Sequence, residues 1–254
     1  MSAPATRPPT AAPYARHFAD RYDTWFGKPS VTSDTVALLA RLAGSGSALE
    51  LGVGTGRVAL PLSRCGVRVE GIDASPEMAA LLAAKPGGDR IPVTIADFTR
   101  PPLTGHPYDL VYLVAGTLFE LDTQADQLRC FHAAAQLTGE HGLFVLDAFV
   151  PEVLVAAPQE PDGQVIPTAD GDRVVLRRSF DRAAQRYHSH YRITPGDGSR
   201  TVDLDVTFRY AGTGELDLMA HQAGLELRER YGSWSGTPFT DGCAYHVSVY
   251  RHTR

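Results

Sequence analysis

Short apolar runs alternate with amphipathic stretches from about residue 36 to residue 148. Val36–Ala43 has apolar residues at helical spacing, with Ser33 or Asp34 available as N-cap and Gly44–Ser47 ending it. Ala48–Leu51 reads as a first strand, Thr55–Cys65 as a helix and Val67–Ile72 as a second strand. Ser75 and Pro76 open the next helix, because serine caps and proline suits a first turn. That helix runs to Ala84, where Pro86-Gly87-Gly88 breaks it. Ile91–Phe98 and Tyr108–Val114 supply a third and a fourth strand, Gln124–Leu137 a helix, Thr138–Gly142 a turn and Leu143–Ala148 a fifth strand. Strands alternating with helices in this way predict right-handed crossovers and a parallel sheet, an α/β fold.

The period changes after Pro151. Segments 164–168, 173–180, 185–193 and 201–210 read as strands, two of them with strict period-two alternation, and Pro195-Gly196-Asp197-Gly198 is a turn. Four strands without intervening helices predict an antiparallel sheet inserted before the last helix, Glu215–Ala223. Glu226–Tyr231 and Ala244–Arg251 are two final strands. The expected organisation is a disordered tail (1–13), a helical cap or lid (14–47), a Rossmann-like core (48–150), the antiparallel insertion (151–214) and the rest of the core sheet (215–254). The cap carries Tyr14, Phe18, Tyr22 and Trp25 along one helical face.

Chemistry enters at the end of the first strand. Glu50 is followed by glycines at 52, 54 and 56, and the second apolar run ends in Asp73, followed by Ala74. Glycines let a backbone approach a ligand closely, and an acid at the end of the second strand is placed to accept ribose hydroxyls. The dinucleotide fingerprint G-x-G-x-x-G does not fit. The third glycine comes one residue early, and Arg57 stands where a small residue is required. A nicotinamide-dependent oxidoreductase is therefore disfavoured.

The pattern E-x-G-x-G-x-G, with Asp73 beyond it and Asp97 ending the third strand, resembles the class I SAM-dependent methyltransferases. The resemblance covers about residues 14–252. It implies a Rossmann-like seven-stranded sheet carrying the inserted antiparallel sheet, with S-adenosylmethionine as cofactor and S-adenosylhomocysteine as product. By that resemblance Gly52, Gly54 and Gly56 approach the methionine moiety and ribose, and Glu50 orients the methionine ammonium. Asp73 holds the ribose, Met78 packs on adenine, and Asp97 with Phe98 accepts from the adenine amino group. Val114 to Thr117 border the sulfur. Tyr14 and Tyr22 are candidates to close over the cofactor, the competing reading being a helix that packs its aromatic stripe on the domain. The aromatic N-terminal helix and the late insertion are similar to small-molecule enzymes of the glycine N-methyltransferase type and to antibiotic amino-sugar N-methyltransferases. The latter carry Tyr-Asp-x-x-Tyr near the N-terminus; here Tyr22-Asp23-Thr24-Trp25-Phe26 ends in phenylalanine, so a hydroxyl is lost.

Composition narrows the partners. With 254 residues, 43% hydrophobic, the chain can form one large domain with an insertion, and its net charge of −5 disfavours nucleic acid. Of 24 basic residues only Lys28 and Lys85 are lysines, a bias expected of a GC-rich genome that lowers the weight of any single arginine. Cys65, Cys130 and Cys243 are far apart and read as buried free thiols. No stretch looks like a signal peptide or a membrane span, so a cytoplasmic protein is expected.

Methyl transfer from a sulfonium is an in-line displacement in which alignment and exclusion of water dominate. On the acceptor side, His188 and His190 share one strand face and are candidates for a general base, a solvated face being the competing reading. Phe119, Glu120, Trp234 and His246 lie on segments ending near the cofactor side or the sheet edge. No metal site is expected, because His188 and His190 have no third ligand. The expected activity is methylation of a small-molecule acceptor at N or O. The alternative is a SAM-binding protein catalysing a non-methylating reaction such as cyclisation. The inserted sheet is either a substrate wall or a homodimer surface.

Overall fold

The structure is a computed structural model and describes residues 23–24, 29–102, 105–157, 162–168 and 171–253. Tyr14, Tyr22 and the tail before them lie outside the described residues. From Pro29 the elements are α1 (Pro29–Ala43), β1 (Ser47–Leu51), α2 (Ala59–Arg64), β2 (Arg68–Asp73), α3 (Pro76–Ala84) and β3 (Val93–Ile95). Next come β4 (Tyr108–Leu113), a 3-10 turn (Thr117–Glu120), α4 (Gln124–Leu137) and β5 (Thr138–Phe149). After α5 (Pro151–Ala156) the strands β6 (Gln164–Ile166), β7 (Arg173–Asp181), β8 (Arg186–Thr194) and β9 (Val202–Arg209) are consecutive. Then α6 (Thr213–Gln222) precedes β10 (Leu225–Tyr231) and β11 (Tyr245–His252).

Seven strands form one sheet in the order β10-β11-β5-β4-β1-β2-β3, and β6 to β9 form a second, antiparallel one. β1 pairs in parallel with β2 on one side and β4 on the other, while β11 runs antiparallel to β5 and β10. The strand order thus reverses between β1 and β4, which opens a crevice beyond their C-terminal ends. Strand alternation sends Leu49, Val111, Leu113, Phe144 and Tyr250 to one face, packed with Phe131 of α4 and Leu216 of α6. Ala48, Leu110, Tyr112, Val145 and Val247 go to the other, packed with Leu39 of α1 and Leu62 of α2. Burial on both faces is why these strands read as unbroken apolar runs.

The second sheet is fastened to the first domain layer through Arg209. This buried guanidinium donates to Glu215 Oε1 at 2.6 Å, to Gln185 Oε1 at 2.8 Å and to Gln127 Oε1. Gln127 returns a bond from Nε2 to the Arg209 carbonyl at 2.8 Å. The end of β9, the start of β8, α4 and α6 therefore meet at one charge, which burial requires to be fully paired.

Several boundaries differ from those read in the sequence. α1 begins at Pro29, so Ser33 and Asp34 are exposed residues inside the helix and not caps. α2 begins at Ala59, because left-handed Gly54 and Gly56 (φ 53° and 75°) hold the preceding residues in turns. Thr138–Gly142 is strand: Tyr108 pairs with Thr138 and Leu110 with Leu143, so a bulge absorbs the expected turn. Helix α5 was not anticipated. Of the cysteines, Cys130 is buried but Cys65 is exposed.

Candidate functional site

The glycine loop follows β1 and borders the crevice beyond the C-terminal ends of β1 and β4. Gly52 and Val53 donate backbone N–H groups to the Ile72 carbonyl at 2.8 and 3.1 Å, which locks the loop to β2. Gly54 N–H donates to Asp73 Oδ2 at 2.6 Å, and Ser75 N–H to Asp73 Oδ1 at 2.8 Å. The Ala74 N–H also bonds this carboxylate, which retains acceptor capacity for a ligand hydroxyl. Burial raises the Asp73 pKa, and the backbone N–H groups oppose that rise.

The three loop glycines differ in what surrounds them. A Cβ at Gly56 would lie 2.2 Å from Leu82 Cδ1, and one at Gly52 would lie 2.9 Å from Thr117 Cγ2. A Cβ at Gly54 would meet nothing within 4 Å. Gly56 is thus needed for packing of the loop on α3, Gly52 for contact with the turn after β4, and Gly54 borders open space.

Glu50 is 2% exposed and accepts the Tyr112 hydroxyl at Oε2, at 3.0 Å. Burial pushes its pKa up to about 8, with Tyr112 and Arg57 opposing and Asp73 adding to the rise. A buried carboxyl of this kind is poised to ionise when a cation arrives.

The remaining cofactor candidates lie on the segments that follow β2, β3 and β4. Ser75 caps α3 by accepting the Met78 N–H at 3.2 Å; Ala74 is half-buried and Met78 buried. Asp97 Oδ1 accepts both the backbone N–H and the hydroxyl of Thr99, at 2.8 and 2.7 Å, and so closes a turn after β3. Phe98 is half-buried, and its Cε1 lies 3.8 Å from the Cβ position of Gly52. Val114 is buried, and its carbonyl accepts the Thr117 hydroxyl at 2.7 Å.

The structure does not bring His188 and His190 to this crevice. They occupy the outer face of the second sheet, His188 Nδ1 beside Thr207 Oγ1 at 2.9 Å and His190 Nδ1 beside Asp205 Oδ1 at 2.9 Å. Alternation along β8 turns Tyr187, Ser189 and Tyr191 the other way. Tyr187 stacks on Phe208 with centroids 4.7 Å apart and joins the core cluster of Leu118 and Phe119. The inner face therefore looks toward the 3-10 turn: burial raises the Tyr187 and Tyr191 hydroxyl pKa values, the Arg178 charge opposes the rise, and Glu120 adds to it by a smaller amount. His246 is fully buried, with Nδ1 2.9 Å from Ser248 Oγ and no partner for Nε2.

Two features escaped the sequence reading. Asp147, near the end of β5, gathers donors from the turn after β4 and from Trp234. Its signal was an acid inside an otherwise apolar strand, Phe-Val-Leu-Asp-Ala-Phe. The second is a clasp on the glycine loop: Asp23 accepts the Thr55 hydroxyl at 2.6 Å and pairs with Lys85, whose Nζ also donates to the Thr55 carbonyl at 2.7 Å. Among the described residues no helix is long and apolar enough to cross a membrane.

Comparison with known proteins agrees with this geometry. Residues 48–142 match a family described as methyltransferase domain. The CcbJ methyltransferase from Streptomyces caelestis is 34% identical, with a TM-score of 0.85 over 95% of this chain and 98% of that one. The cypemycin N-terminal methyltransferase of a Streptomyces species is 27% identical over 192 residues, 76% of this chain and 77% of that protein. The sugar N-methyltransferase KedS8 from Streptoalloteichus shares 19% identity and the fold, with a TM-score of 0.68 over 99% of this chain and 98% of that one.

Proposed function

The chain belongs to the class I SAM-dependent methyltransferases, and on that premise we propose that it methylates an amine nitrogen of a small natural product. The observation that carries the cofactor assignment is the grouping of buried Glu50, open Gly54 and half-buried Asp73 around one crevice. In this reading Glu50 receives the methionine ammonium, and Gly54 lets the backbone lie against the ligand. Asp73 receives the ribose hydroxyls. Met78, Asp97 and Phe98 border the adenine, and Val114 to Thr117 border the sulfur. The bound sulfonium supplies an activated methyl group and departs as a neutral thioether. What remains for the side chains is alignment and exclusion of water.

The acceptor is assigned to the side of the crevice where the inner face of the second sheet approaches the 3-10 turn, near Glu120 and Tyr191. Aromatic faces beside the Glu120 carboxylate suit a protonated amine, which needs only to lose its proton before attack, although the Arg178 charge also reaches Tyr187 and Tyr191 and opposes that attraction. The placement of His188 and His190 outside the crevice supports an amine over a hydroxyl, because a hydroxyl needs a positioned base. The names of two similar proteins, an N-terminal methyltransferase and a sugar N-methyltransferase, support the same choice.

The test is transfer of a deuterated methyl group from SAM to a panel of small peptides with free N-termini, amino sugars and their N-acetylated counterparts. Label is expected in the free amines and absent from the acetylated compounds. Label confined to hydroxyls would contradict the choice of nitrogen. Intact S-adenosylhomocysteine binding with no labelled acceptor, in the panel or in a host extract, would favour the non-methylating alternative.

A further inference from the structure

Asp147 is 2% exposed, and its carboxylate is surrounded by donors from three parts of the chain. Oδ2 accepts the Ala115 N–H at 3.0 Å and the Trp234 indole N–H at 2.8 Å, and Oδ1 accepts the Gly116 N–H at 2.8 Å. The Tyr245 hydroxyl also donates to it, and lies 3.2 Å from Trp234 Nε1. Ala115 and Gly116 both have positive φ, 62° and 72°. The turn they form directs both N–H groups at one anion, as backbone turns do at anion sites, and here the anion belongs to the same chain. For alanine that conformation is strained and persists only where its surroundings impose it. The next residue, Thr117, is the one whose Cγ2 would sit 2.9 Å from a Cβ on Gly52.

We propose that Asp147 is a positioning residue for the methyl-donor site: it holds the Ala115–Gly116 turn so that Thr117 seats the glycine loop at Gly52. The proposal rests on the assignment of S-adenosylmethionine to the crevice. It also links that crevice to the loop between β10 and β11, because Trp234 and Tyr245 share the carboxylate with the turn. A bond network that served only stability would cost folding free energy when cut and leave ligand affinity of the folded protein unchanged. A positioning role changes affinity in protein that remains folded.

The experiment uses the full chain with Trp25→Phe, so that Trp234 is the remaining tryptophan, labelled with nitrogen-15. S-adenosylhomocysteine is titrated by calorimetry and by the Trp234 indole N–H signal. That signal is expected to shift on saturation. Asp147→Asn is expected to raise Kd about tenfold or more, since an amide cannot accept all the donors aimed at it. Thr117→Ser keeps the hydroxyl bond to Val114 but removes the methyl group against Gly52, and a rise of about threefold is expected. If Asp147→Asn does not fold, Thr117→Ser and Trp234→Phe carry the test, each with the same rise of about threefold. An unmoved Trp234 signal, or folded variants that all bind within about twofold of the parent, overturns the proposal. A parent protein that fails to bind S-adenosylhomocysteine overturns the donor-site assignment itself, and the proposal with it.

Discussion

Tyr112 donates its hydroxyl to Glu50 at 3.0 Å, and both side chains are shielded from solvent. Burial raises the carboxyl pKa from 4.5 to about 8, against the Tyr112 bond, which lowers it. A cation placed beside it pulls that value down. S-adenosylhomocysteine, which carries the methionine ammonium, is therefore expected to bind with release of a proton near pH 7, and more tightly as pH rises toward 8. Calorimetry in buffers of different ionisation enthalpy measures the proton. Glu50→Gln should abolish the release and weaken binding. The same substitution should raise stability in alkali. A group whose folded pKa is raised loses its favourable contribution as pH climbs, here between about 4.5 and 8. The gain for Glu50→Gln above pH 8 is about 2–5 kcal/mol, read from urea unfolding.

Gly54 and Gly56 make opposite predictions. Gly56→Ala drives a Cβ to 2.2 Å from Leu82 at a φ of 75°, so loss of stable folding is expected. Gly54→Ala has open space around it and pays only for its left-handed backbone, about 1 kcal/mol. Its folding should survive, while the methyl group projects into the crevice and S-adenosylhomocysteine binding falls steeply. Thermal melts and calorimetry on the two variants separate these effects.

Arg209→Met should cost about 3–5 kcal/mol in urea unfolding, because it removes the donor to Gln185 Oε1 and Gln127 Oε1 and leaves the Glu215 carboxylate with only the amide donors of Gln124 and Gln185. Arg209→Lys should recover little of this, since a single ammonium cannot reproduce the guanidinium fork. A loss under about 1 kcal/mol would show that the junction does not hold the second sheet.

His246 makes stability sensitive to acid. Burial lowers its pKa from 6.5 to about 4, with the Arg230 charge adding to the effect. The neutral ring favours the folded state, so its contribution is present above pH 6.5 and is lost as pH falls toward 4. The loss is about 2–3 kcal/mol over that range. His246→Asn, which keeps a donor for Ser248 and does not titrate, should flatten the acid limb of stability against pH.

The sequence was most legible where the determining residues lie close together in the chain. The glycine loop, Asp73 and the Ser75 cap could be read because spacing within a strand–turn–helix unit fixes their geometry. The strand series could be read because period and turn chemistry are local. Asp147 could not, because its partners are backbone N–H groups 31 and 32 residues away, exposed by a left-handed turn that Ala115 gives no reason to expect. For His188 and His190 the period along β8 was right, but alternation alone does not say which face turns inward. The burial of Tyr187 in the core cluster that holds Leu118 and Phe119 decides it, and that burial is set by tertiary structure. The Asp23 clasp joins three elements through charge and had no local signature.

The central claim is that the crevice beyond the C-terminal ends of β1 and β4 binds the nucleoside of the methyl donor through Asp73, at the end of β2. It is tested most directly by titrating S-adenosylhomocysteine into the wild-type chain and Asp73→Ala by calorimetry. One site per chain is expected for the wild type, with a loss of about 1.5–3 kcal/mol, roughly ten- to a hundredfold, in the variant. Equal affinity in the two proteins would contradict the claim.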